Sequence, residues 1–246
     1  MPEPFVAFVT GADRGLGLAL CAGLLESGWR VFAGQYLPDW PDLPRLAEQF
    51  PGRLVILPLD VGSEESTLAS ARETARHTDR VDLLINNAGI ITPTNDIPIR
   101  QAQDFAGMQA MYNINALGPL RVTHAFMPLT DRSEVKRLCY VSSEAGSINR
   151  CQRTSWFGYC MSKAALNMAV KILFNDLRRD GYSFRVYHPG WMRTYMSGTK
   201  NMEADLEPEE AARYALKYFL SGITEPSPYD EDQLVMRDYL GNEWPW

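Results

Sequence analysis

The chain has 246 residues, 46% of them hydrophobic, and a formal net charge of -6 with a pI near 5.2. Its length and apolar share suit one α/β domain around a single large core. The acidic balance argues against nucleic acid or an anionic membrane as partner. Four cysteines without CxxC spacing or a histidine cluster point to reduced thiols in a cytoplasmic protein.

The opening segment, MPEPFVAFVTG, carries no basic leader, and its apolar run ends early at Gly11. No later stretch approaches the roughly 18 apolar residues of a membrane span. FVAFVT (5–10) reads as a buried strand, followed by the turn GADRGLG and an apolar-periodic helix, LALCAGLLES. WRVFAGQ (29–35) is a second strand, and a connection rich in Pro and Trp leads to a short helix around 43–50. RLVILPLD is the third strand and EESTLASARETARHT an amphipathic helix. VDLLINN is the fourth strand, before a single helical stretch over 100–129. VKRLCYVSS is the fifth, ahead of the helix carrying Tyr159 and Lys163, and FRVYHPG the sixth, ahead of EEAARYALKYFLSG. Apolar strands alternating with helices predict right-handed βαβ units. The expected fold is one Rossmann-type, doubly wound parallel sheet spanning 1–246 as a single domain.

Ligands bind such sheets beyond the carboxyl ends of the strands. The first strand ends in Gly11, Gly15 and Gly17 at the mouth of a helix, where backbone N–H groups can meet a pyrophosphate. The spacing is GxxxGxG, not the GxGxxG of the common fingerprint. Asp60-Val61, NNAG (86–89) and SSEAG (142–146) close the third, fourth and fifth strands. Tyr159 and Lys163, four apart, share one helix face. An ammonium beside a phenol favours the phenolate, lowering a pKa that is ordinarily about 10.

In this order the motifs resemble the short-chain dehydrogenase/reductase family over nearly the whole chain. TGxxxGxG is Thr10 to Gly17, NNAG is Asn86 to Gly89, and the helical asparagine is Asn115. The serine is Ser143, YxxxK is Tyr159 to Lys163, and PGxxxT runs from Pro189-Gly190 to Thr194. HPGWMRT and the ending DYLGNEWPW are similar to the C-factor-like branch of that family. The resemblance implies hydride transfer between a nicotinamide and a carbonyl or secondary alcohol of a small organic molecule. Tyr159 would be the general acid/base, and Lys163 would lower its pKa and hold the nicotinamide ribose. Ser143 would hold the reacting oxygen, and Asn115 would organise a water through which Lys163 exchanges its proton. Two other readings stay open: a non-catalytic nucleotide-binding signalling protein of the C-factor type, and a dehydratase or epimerase on the same scaffold.

The resemblance also places the dinucleotide. It implies contacts from Gly11, Asp13, Arg14, Gly15 and Leu16 after the first strand and from Gln35 after the second. Asp60 and Val61 follow the third strand, and Asn87, Ala88 and Gly89 the fourth. Tyr159, Lys163, Pro189, Gly190, Met192 and Thr194 complete the set. NAD-preferring members carry an acid where Gln35 stands, whereas Arg14 offers a guanidinium suited to a 2′-phosphate. NADP(H) is expected ahead of NAD(H), although the second base that many NADP-using relatives carry after this strand is absent unless Arg45 swings in. Substrate loops are expected near 91–99, 144–158 and 190–206, with Ser143, Glu144, Trp156, Tyr159, Trp191 and Tyr195 as contacts. The interval from Ser143 to Tyr159 is longer than is usual in the family. His77, His124 and His188 have no ligand spacing, so no metal is expected. Relatives pair through their helices, which implies a homodimer or homotetramer.

Overall fold

A computed structural model describes residues 3–196 and 198–246. Met1 and Pro2 of the opening segment, and Ser197 within the expected 190–206 loop, lie outside the described residues. Six strands stand where the apolar runs predict them: β1 (Val6–Val9), β2 (Arg30–Gln35), β3 (Leu54–Pro58), β4 (Leu83–Asn86), β5 (Arg137–Val141) and β6 (Ser183–His188). They pair in parallel in the order β3-β2-β1-β4-β5-β6. The order reverses between β1 and β4, which puts a crevice at the carboxyl ends of those two strands.

Each strand sorts its side chains by alternation. In β1, Ala7 and Val9 face a layer built on α1 (Gly15–Glu26) and α7 (Pro208–Phe219). Val6 and Phe8 face the other layer, formed by α3 (Glu64–Ala75), α5 (Gly118–Thr130) and α6 (Phe157–Leu177). The short α2 (Asp42–Gln49) buries Leu43 and Leu46 and occupies the expected place. Ser63 caps α3 by accepting from the Ser66 N–H at 3.2 Å.

Two elements differ from the sequence expectation. The helix expected over 100–129 begins at Phe105, because Asp104 accepts from the Gly107 N–H at 2.8 Å and caps the chain there. It then divides into α4 (Phe105–Tyr112), a π turn at Asn113–Leu117, and α5. The second difference is that β7 (Met236–Asp238) and β8 (Glu243–Trp244) extend the sheet past β6. With so few residues neither can display a period of two, so only pairing to β6 defines them. The buried Arg185 of β6 anchors this end, donating to both carboxylate oxygens of Glu231 and to the carbonyls of Tyr218 and Ser221. A buried guanidinium needs such saturation.

Candidate active site

One cavity of about 840 Å³ opens at the carboxyl edge of the sheet, and the residues singled out by their motifs meet there. The glycine turn forms its floor. Gly11 has φ +62°, and a Cβ on it would come within 2.9 Å of the Ala88 Cα. A Cβ on Gly17 would collide with the Gly11 carbonyl oxygen. No side chain caps α1, whose N-cap is Arg14, so the first N–H groups of the helix stay free for an anion. The residues therefore fit a pyrophosphate-bearing dinucleotide: a cradle without side chains facing an uncapped helix end.

Thr10 and Asn87 build this cradle. The Thr10 hydroxyl accepts from the N–H groups of Asn87 and Ala88, each at 3.0 Å. The Asn87 amide donates to the carbonyls of Thr10 and Gly11 at 2.9 and 3.1 Å. Asn87 thus spends its amide nitrogen on the glycine loop while lining the cavity. Asp13 likewise turns inward: its carboxylate accepts from the N–H groups of Tyr36 and Leu37 at distances from 2.8 to 3.2 Å. It fixes the loop after β2. Asp60 lines the cavity and holds its own turn by accepting from Gly62 at 2.8 Å.

Gln35 is a correction. It pairs in the sheet opposite Pro58, its amide nitrogen is buried without a partner, and it does not border the cavity. Tyr36 and Leu37, one and two residues on, border the cavity instead. Arg45 does not reach in either; it is exposed and pairs with Asp42.

At the opposite end stand Ser143, Tyr159 and Lys163. Ser143 sits extended just beyond β5, its hydroxyl accepting from the Ala145 N–H at 3.1 Å. Tyr159 and Lys163 project from the first turns of α6. Lys163 is buried and donates to the Val141 carbonyl at 3.0 Å. Desolvation pulls it down from the ordinary value to about 8. Burial pushes the Tyr159 phenol up to about 12, while the Ser143 hydroxyl pulls the other way.

Asn115 lies at the centre of the π turn, fully buried. Its carbonyl oxygen accepts from the Ile90 N–H at 2.8 Å, and its amide donates to the Ile90 carbonyl and the Ser162 hydroxyl. The Asn115 Oδ1 and the Lys163 Nζ both border Gly89, 3.3 and 3.6 Å from where a Cβ there would sit. π turns recur at such sites because they re-aim one side chain without ending the helix.

The rest of the cavity wall comes from the three loops expected to meet substrate. Glu144 and Arg153 form a double ion pair across the long 144–158 segment, and the Arg153 guanidinium lies 5.1 Å from the Trp156 ring. Trp156 holds a left-handed φ of 67° at the mouth of α6. Its N–H bonds the Asn95 carbonyl, and the Asn95 side-chain oxygen accepts from the Tyr159 N–H at 3.2 Å. Trp191, Met192, Thr194 and Tyr195 line the wall from the 190–206 loop, pinned by the Met192–Leu206 bridge. Asn95 and Arg153 escaped the sequence reading, and His188 was read there only as lacking ligand spacing. Arg153 left a trace, as a base inside the lengthened loop; Asn95 acts through contacts no local pattern encodes. His188 borders the cavity with Nδ1 unpartnered, and burial lowers its pKa.

A doubly wound α/β sheet with a glycine cradle at one end of a crevice and a Ser–Tyr–Lys set at the other defines an oxidoreductase scaffold. The family model described as short chain dehydrogenase matches residues 5–205. The chain belongs to the short-chain dehydrogenase family. It is 37% identical over 172 residues to the C-signal protein of Myxococcus xanthus, covering 69% of this chain and 95% of that one. An uncharacterized oxidoreductase of Schizosaccharomyces pombe is 31% identical over 240 residues, covering 97% and 92%. Among solved structures, the NADPH-bound carbonyl reductase from chicken fatty liver superposes with a TM-score of 0.85 at 29% identity, over 99% of this chain and 100% of that one. A short-chain dehydrogenase/reductase from Burkholderia multivorans with bound NADP gives 0.84 at 28%, over 99% and 100%.

Proposed function

We propose that the chain is an NADP(H)-dependent carbonyl reductase of small organic substrates. The observation that carries this reading is that Tyr159, Ser143 and Lys163 line the same cavity as the glycine cradle. A neutral phenol is an acid in waiting: it can give its proton to a carbonyl oxygen that Ser143 holds as charge develops. When bound, the nicotinamide supplies the hydride; the protein orients, excludes water and donates the proton.

Arg14 and the exposed Tyr36 line the cavity, where a 2′-phosphate would lie, and neither Tyr36 nor Leu37 beyond β2 carries a carboxylate. The NADP-bearing relatives support the same choice, with NAD(H) second. The apolar wall of Ile91, Trp156, Trp191 and Met192 favours a substrate with a hydrophobic body. Met161, Met168 and Ile172 on α6, with Phe105 and Tyr112 on α4, are large apolar side chains left exposed, which supports assembly into a homo-oligomer. No helix among the described residues is long and apolar enough to cross a membrane.

A second reading is a non-catalytic nucleotide-binding signalling protein, for which the likeness to a protein named C-signal supports the signalling part. One experiment separates the two: turnover of a panel of ketones and aldehydes with NADPH, for the native protein and Tyr159→Phe. Catalysis in the native protein, cut at least ~100-fold by the substitution with NADPH affinity retained, supports the reductase. NADPH binding without turnover of any carbonyl supports the second reading.

A further inference from the structure

Arg14 is held in an unusual way. Its guanidinium carbon lies 4.5 Å from the centroid of the Trp40 ring and 5.4 Å from that of Tyr195. One of its nitrogens donates to the Tyr195 carbonyl at 3.3 Å. The two rings meet edge to face at 5.1 Å, and the Trp40 indole N–H is fixed on the Asp42 carboxylate at 2.9 Å. No carboxylate pairs with Arg14 among the described residues. The adjacent acid, Asp13, is committed to the N–H groups of Tyr36 and Leu37. Three separate segments thus converge on one cation: the turn after β1, the loop after β2 and the loop after β6.

From this we infer that Trp40 and Tyr195 determine coenzyme specificity, by holding Arg14 as a pre-oriented, uncompensated cation for the 2′-phosphate. The inference rests on the NADP(H) reading above. A carboxylate holding Arg14 would orient it equally well but neutralise it. Aromatic faces orient a guanidinium while leaving its charge and its N–H edge available to an anion. A flexible arginine would have to lose rotamer freedom on meeting a phosphate, and part of that cost is already met in the fold. Tyr195 belongs to a loop expected to contact substrate, yet its ring serves the far end of the cofactor cavity. Trp40 does not border the cavity at all and acts only through Arg14.

The test is calorimetric binding of adenosine 2′,5′-bisphosphate and adenosine 5′-monophosphate, together with NADPH and NADH, to the native protein and five variants. Trp40→Leu and Tyr195→Leu are expected to weaken the 2′-phosphorylated ligands roughly five- to tenfold and leave the others within twofold. Trp40→Phe and Tyr195→Phe keep a ring and are expected to restore the native ratio. Arg14→Ala is the control. Selective loss in Arg14→Ala without selective loss in the Leu variants would overturn the role of Trp40 and Tyr195 alone. Equal loss of all four ligands in Arg14→Ala would overturn the 2′-phosphate assignment itself. Equal loss in the Leu variants, unrescued by Phe, would make the two rings ordinary packing.

Discussion

Lys163 donates to the main-chain carbonyl of Val141 at 3.0 Å, and its Nζ stands 5.8 Å from the centroid of the Tyr159 ring. The lysine is anchored to the end of β5 before it can serve the phenol. Its burial has a thermodynamic consequence. Its pKa falls from 10.5 to about 8, so between those values the unfolded chain binds the extra proton and stability rises with pH. Below pH 8 the full penalty applies, on the order of 3 kcal/mol. Relative to Lys163→Met, the native protein is expected to gain about 2 kcal/mol between about pH 7.5 and about pH 10. Denaturant melts at the two pH values check this; an unchanged difference would exclude the buried ammonium as the cause. Tyr159, raised from 10 to about 12, acts with the opposite sign above pH 10, outside that window.

Asn95 positions the phenol from behind. Its side-chain oxygen accepts from the Tyr159 N–H, and its carbonyl accepts from the Trp156 N–H. Asn95→Ala is expected to cost about 1 kcal/mol, as the loss of a helix cap does, and to lower turnover about tenfold with NADPH affinity retained. Asn95→Asp keeps the acceptor and removes the buried, unpartnered Nδ2. It should recover most of the turnover in steady-state kinetics.

Gly17→Ala sets a methyl group against the Gly11 carbonyl oxygen and the Asn87 amide. Neither can yield without opening the bonds from Asn87 to Thr10 and Gly11. The substitution should destabilise the fold by roughly 1–3 kcal/mol and abolish dinucleotide binding. Thermal melts with and without NADPH would read both effects, and a native-like shift on adding NADPH would refute the cradle.

The Glu144–Arg153 pair is a third exposed on each side, so its worth to stability is below about 1 kcal/mol. Its effect should fall on substrate instead, because it spans the lengthened loop at the cavity mouth. Arg153→Met is expected to raise KM for carbonyl substrates several-fold while leaving the melting transition and NADPH affinity nearly unchanged. A raised KM for NADPH alone would place the pair elsewhere in the cycle.

The six parallel strands were legible because each is an apolar run ending in turn or motif residues. The site was legible because a doubly wound sheet delivers every such ending to one edge. β7 and β8 were not, since two- and three-residue strands exist only by pairing across the sheet. Gln35 does close β2 as expected, but a spacing rule could not show that Tyr36 and Leu37 beyond it border the cavity. The upward shift of Tyr159 was hidden for a different reason. Sequence shows that a lysine is four residues away, but not that its ammonium points to Val141 or how much water the surrounding residues exclude. Asn95 and Trp40 lie far from any motif and matter only through contacts made in the folded chain.

The π turn at Asn113–Leu117 works as a phase shifter. A helix advances about 100° per residue, so one extra residue in a turn rotates everything after it by that angle. Upstream, α4 packs against α6; downstream, Val122, Phe126 and Leu129 of α5 face the sheet. Deleting one residue from the π turn would leave a continuous helix that is locally more regular. It would also swing that apolar stripe off the core and carry Asn115 away from Ile90. Insertions and deletions that ordinary helices absorb at their ends are therefore closed to this one in its middle. A length change there should be as damaging as the loss of Tyr159 itself.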